Sequence, residues 1–119
     1  MSYQAVILTV SDSCAAGTRT DTSGPAIRGM LENAGFAVQA MQTVPDEEGQ
    51  ISAAIVHACD ILQADLVVTT GGTGLSPRDV TPEATLAVLD REIRAIPVAM
   101  WVEGLKSTPR AMLSRAVAG

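Results

Sequence analysis

A three-layer α/β/α sandwich built on a mostly parallel sheet is the fold class this sequence predicts, and three observations predict it. Three short apolar, β-branched runs alternate with segments of helical periodicity. One of those runs breaks straight into a glycine-rich loop and then a helix start, which is how an α/β fold builds a site at the carboxyl edge of its sheet. The 119 residues are 47% hydrophobic yet hold one Trp, one Tyr and one Phe, so small side chains must fill the space between layers. A chain of this length reads as a single domain over residues 1–119.

Ala5 to Val10 reads as the first strand and Ser11 to Ser23 as a polar loop. Ser23, Gly24 and Pro25 open a helix whose apolar positions Ile27, Met30, Leu31 and Ala34 share one face, and Gly35 ends it. Phe36 to Val44 makes the second strand. Pro45-Asp46 turns into a helix that buries Ile51, Ile55, Cys59 and Leu62. Asp65 to Thr70 is the third strand, with Leu66 to Val68 as its buried apolar run. Helices follow over Pro82 to Asp90 and Val98 to Leu105. Strands alternating with helices imply right-handed βαβ units and a parallel sheet covered on both faces.

The third strand runs into Gly71, Gly72 and Gly74, where backbone can take positive φ and a ligand can approach closely. Thr81-Pro82-Glu83 then supplies a hydroxyl N-cap, a first-turn proline and an acid against the helix dipole. No Lys-Ser or Lys-Thr follows the glycines, which excludes a P-loop, and Gly-Gly-Thr-Gly lacks the spacing of the dinucleotide fingerprint. Asp46 and Asp79 lie just beyond the second and third strands, so a parallel sheet brings both to one edge. Two carboxylates beside a phosphate cradle suit Mg²⁺, which takes one or two acids plus phosphate oxygens. The plainer roles are a helix N-cap for Asp46 and an Asx-turn for Asp79. Ser11 and Asp12, where the first strand exits, either line the same crevice or cap the next turn.

Thr-Thr-Gly-Gly-Thr-Gly followed by Arg-Asp-Val-Thr-Pro-Glu-Ala resembles the signature of the MoaB/Mog family of molybdenum cofactor biosynthesis proteins, which includes the G domain of gephyrin-like proteins. Val10-Ser11-Asp12, Asp21 to Pro25, Val44 to Glu47 and Thr108 to Gly119 are also similar to family segments. The resemblance implies Mg²⁺- and ATP-dependent adenylylation of molybdopterin by a homotrimer. It implies catalytic and metal-binding roles for Asp46 and Asp79. Ser11, Asp12, Thr70, Gly71, Gly72, Thr73, Gly74, Ser76 and Arg78 are the candidates to hold the substrates: the loop offers backbone N–H groups and the Thr73 hydroxyl to phosphate oxygens and Arg78 offers charge, against the plainer roles of a tight strand-to-helix turn and a solvated arginine. Members of the family normally continue into another strand and a Pro-Gly loop. The Ala116 to Gly119 ending therefore reads as a C-terminal truncation, and a non-catalytic binding module or an oligomeric scaffold stands as the alternative. Arg94-Ala95 and Trp101 depart from the family pattern, and Trp101 suggests either a subunit interface or core filling.

Eight basic and thirteen acidic residues give a net charge of −5, which argues against nonspecific nucleic-acid or anionic-membrane partners. No apolar run approaches bilayer-spanning length, and a cytoplasmic protein is the expectation. Cys14 and Cys59 lack metal-ligand spacing and read as free thiols. His57 lies off the apolar stripe of its helix and reads as an exposed residue with no catalytic partner.

Overall fold

A computed structural model describes residues 2–119. The strands are β1 (Gln4–Val10), β2 (Ala37–Val44) and β3 (Leu66–Thr70). They form one parallel sheet in the order β2-β1-β3. β1 is central, and its residues from Ala5 to Val10 are all buried. The connection from β1 to β2 moves one way across the sheet, and that from β2 to β3 returns over β1. Right-handed crossovers therefore put α2 (Ser23–Asn33) on one face and α3 (Glu48–Val56) on the other, giving the expected layers. Alternation along β1 matches this. Val6, Leu8 and Val10 join Val44, Ile51, Ala54, Ile55, Ala58 and Ala84 in one core cluster, while the Thr9 hydroxyl, on the other face, bonds to Asp21 just before α2.

Several elements differ from their sequence expectations. The segment read as a loop after β1 contains a one-turn helix, α1 (Asp12–Ala15), which the Ser11 hydroxyl caps by accepting from Cys14 N at 3.2 Å. On α2 the predicted apolar face is mostly open: Met30 is 73% exposed and Ala34 is exposed, while Ile27 and Leu31 are half-buried. The residue that α2 presses onto the sheet is Gly24, where a Cβ would strike Asp21 and Thr9. Gly35 does end this segment, at φ 97°.

α3 buries Ile51, Ala54 and Ile55 as its pattern requires, then widens into a π-turn over His57–Ile61. The wider turn shifts the phase of the stripe, so Ala58 is buried and Cys59 is left exposed rather than buried. His57 is exposed, as read from the sequence. Gln63 closes the turn in the left-handed region at φ 55°, with Ala64 N donating to Ala58 O and Leu62 N to His57 O. β3 is half-buried rather than buried, because one of its edges has no neighbouring strand. The last helices are α4 (Thr81–Leu86), shorter than predicted, and α5 (Ala95–Leu105), followed by a 3₁₀ turn over Pro109–Leu113. Among the described residues, no helix is long and apolar enough to cross a membrane.

Candidate functional site

Three parallel strands end at one edge of the sheet, and the loops leaving them are tied together there. Ser11 N donates to Val44 O at 2.9 Å, which joins the exits of β1 and β2. One residue on, Asp12 N donates to Asp46 Oδ2 and Asp46 N to Asp12 Oδ1, each at 2.9 Å. This reciprocal bracket uses Asp46 across the sheet edge. Its predicted capping alternative is not realised, since α3 starts at an N-cap Glu47 that makes no side-chain cap.

The glycine loop after β3 closes onto the same point. Gly71 has φ 95°, and a Cβ there would run into the Val10 carbonyl oxygen that ends β1. Gly72 has φ 70°, and its Cβ would meet the Thr81 hydroxyl and lie 3.2 Å from Asp46 Oδ1. Both conditions, the left-handed backbone and the absent space, select glycine. Thr81 does not act as the expected N-cap. Val80 holds that position in α4, and the Thr81 hydroxyl donates to Gly71 O at 2.9 Å instead. Gly74 has no positive φ, contrary to expectation, but a Cβ on it would sit 2.8 Å from Asp79 Oδ2. Among the described residues, the N–H groups of Gly72, Thr73, Gly74 and Leu75 donate to no acceptor. Four adjacent donors without a protein partner, beside two left-handed glycines, are available to an anion. Thr70, paired opposite Thr9, is the last strand residue before it.

Beyond the loop, Ser76 and Asp79 brace a tight turn. Ser76 N donates to Asp79 Oδ2 at 3.0 Å, Asp79 N donates to Ser76 O at 2.9 Å, and the Ser76 hydroxyl accepts from Arg78 N at 3.2 Å. The turn aims Arg78 back across the site. Its Nε and Nη2 donate to the two Asp12 oxygens at 3.0 and 2.9 Å, and Glu47 lies 3.8 Å away. This bidentate pair holds the Asp12 carboxyl below the usual carboxylate range, helped by the Asp46 backbone contact, and raises Arg78. The structure thus ties Asp12, Asp46 and Arg78 together by hydrogen bonds at the sheet edge, with Gly72 packed against Asp46, and places Gly74, Ser76 and Asp79 together on the turn that carries Arg78. Ser11 is turned to its capping role.

Arg115 was not singled out by sequence reasoning. Its backbone N donates to Thr73 O at 2.8 Å, its Nε to Gly74 O at 2.8 Å, and its Nη2 to Asp79 O at 2.7 Å. Nη1 and Nη2 also pair with the Glu83 carboxylate at 2.7 and 3.2 Å, which lowers Glu83 and raises Arg115. Nothing in local spacing couples it to a loop 41 residues away. Asp21 was likewise missed as the acid that accepts from both Thr9 and Gly24.

Residues 6–119 match the family described as "Probable molybdopterin binding domain". The chain belongs to that family. Among solved relatives, the molybdopterin biosynthesis enzyme MoaB of Thermus thermophilus superposes with a TM-score of 0.92 at 47% identity, over 98% of this chain and 74% of that one. The molybdopterin adenylyltransferase of Helicobacter pylori strain J99 is 38% identical over 117 residues, covering 95% of this chain. The molybdenum cofactor synthesis protein cinnamon of Drosophila melanogaster is 38% identical over 114 residues. This family member spans 65% of the length of the Helicobacter pylori protein and 19% of the Drosophila one. The family places the chain in molybdenum cofactor biosynthesis.

Proposed function

We propose that this chain transfers AMP from ATP to the terminal phosphate of molybdopterin. A phosphate oxygen of molybdopterin attacks the α-phosphorus of ATP, the bond from that phosphorus to the bridging oxygen breaks, and pyrophosphate departs with the electron pair. The observation that carries the reading is the run of four unpartnered N–H groups from Gly72 to Leu75, which passes Asp46 at Gly72 and Asp79 at Gly74. Donors of that kind bind phosphate oxygens through fixed dipoles and need no reorganisation when charge moves. The relative named molybdopterin adenylyltransferase supports the choice of substrates.

Asp46 and Asp79 each keep Oδ1 free of hydrogen bonds among the described residues. One or two carboxylates with a free oxygen, next to a phosphate cradle, suit Mg²⁺, whose remaining ligands are phosphate oxygens and water. Bound there, the ion neutralises charge on the phosphates. The chain's own groups do the positioning. Gly71 and Gly72 let the backbone approach the phosphates, Thr73 offers a hydroxyl, and Arg78 adds positive charge at the edge where Asp12 now holds it. Ser76 holds the turn that carries both Arg78 and Asp79.

A homotrimer is part of the proposal: the family resemblance supplies the number, and uncovered apolar surface supports association. The chain exposes 7428 Å², against about 6100 Å² expected of a compact monomer of this mass. α5 is apolar nearly all round yet leaves Val98, Met100 and Val102 open, and such helices are normally covered. An ATP-consuming reaction fits a cytoplasmic protein. The test is to incubate the chain with ATP, Mg²⁺ and molybdopterin and follow pyrophosphate release. Turnover dependent on all three supports the assignment. ATP binding without turnover favours a binding module instead, and no binding favours a scaffold.

A further inference from the structure

We propose that Arg115 is a positioning residue that sets the phosphate-binding loop from behind, an inference that rests on the anion-binding reading of that loop. The loop has no regular structure of its own, and its two left-handed glycines leave it free to take other paths. Something must select one path, and the neighbours of Arg115 show what does. Its main-chain N–H takes the Thr73 carbonyl, and its guanidinium takes the carbonyls of Gly74 and Asp79. A trans peptide points its N–H opposite its C=O. Drawing the Thr73 and Gly74 carbonyls toward Arg115 therefore turns the N–H groups of Gly74 and Leu75 the other way, and those are two of the four free donors. Glu83, in the first turn of α4, holds the guanidinium itself at 2.7 and 3.2 Å. The fork thus locks the loop to the helix that follows it, and a planar five-donor group can reach three acceptor groups at once. A lysine has the charge but not the fork.

The experiment compares the wild-type chain with Arg115→Lys by two readouts. Amide order parameters of Gly74 and Leu75 are measured without ligand, and inorganic pyrophosphate is titrated by following the same amides. The expected result is a fall of those order parameters from the rigid range toward the flexible one. Pyrophosphate affinity should fall roughly tenfold to a hundredfold, the scale on which small misplacements register. Unchanged order parameters, or equal pyrophosphate affinity where the wild type binds it, overturns the proposal whatever happens to melting temperature. If the wild type binds no pyrophosphate but the order parameters still fall, the positioning role stands and the adenylyltransferase reading falls. If Arg115→Lys does not fold, Glu83→Gln carries the same two readouts. It is expected to move both in the same direction by a smaller factor, and no movement in either overturns the proposal.

Discussion

At the residue scale, the site's acids divide their work by their hydrogen bonds. Asp12 spends both oxygens on Arg78 and one on Asp46, so it is a strut. Asp79 uses only Oδ2 in the turn and keeps Oδ1 free. Asp79→Asn retains an oxygen for Ser76 N while removing the charge. Adenylylation by the variant is expected to drop by roughly a hundredfold or more, with little change in melting. A steady-state assay beside a thermal scan checks both halves. Asp12 and Glu83 make a second prediction. Both carboxyls are lowered in the folded chain, Asp12 by Arg78 and Glu83 by Arg115. The unfolded chain therefore takes up protons first as acid is added, and stability present above the ordinary values of 3.8 and 4.5 is lost as pH falls through and below them. Both pairs are solvent-exposed, so the effect is modest. Melting temperature measured across acid pH should fall less steeply in Glu83→Gln than in the wild type.

At the element scale, the parts legible in the sequence were those set by local chemistry. The three strands showed in their β-branched runs, and the glycine loop showed in residues that no ordinary turn needs. What escaped depended on distant partners. The Thr81 hydroxyl looked like a cap and went to Gly71 because Val80 had taken the cap position. Arg115 looked like any surface arginine because its acceptors lie in another loop. The π-turn left no mark in the helical spacing of the sequence, and it displaced Cys59 from the stripe. That turn also carries a prediction. Gln63 occupies a left-handed position that costs a side-chain-bearing residue about 1 kcal/mol relative to glycine. Gln63→Gly is expected to raise the melting temperature by roughly 2–5 °C, and calorimetry on the two chains measures it.

At the scale of the whole molecule, the apolar face of α5 is where the proposed trimer is expected to form. Val98 and Val102, one turn apart, are 49% and 57% exposed. Trp101 between them is half-buried, with its Nε1 enclosed and unpartnered, so its contact surface is smaller than the sequence suggested and the valines are the better probe. Light scattering at micromolar concentration is expected to give three times 12.3 kDa for the wild type, and Val102→Glu to give a smaller species, because a charge in a dry contact is costly. The order β2-β1-β3 has a consequence in time. The strand buried on both sides is the first of the three to leave the ribosome, yet the end of it that bonds to the start of β3 must wait for a partner 61 residues later, Gln4 meeting Asp65. Until then Ala5 to Val10 is a bare greasy ribbon with an unclaimed edge, the kind of segment that sticks to its copies during synthesis. The centre of the sheet therefore stays open until the third strand is made, and nascent chains stalled before Leu66 should depend on chaperones far more than chains released past Thr70.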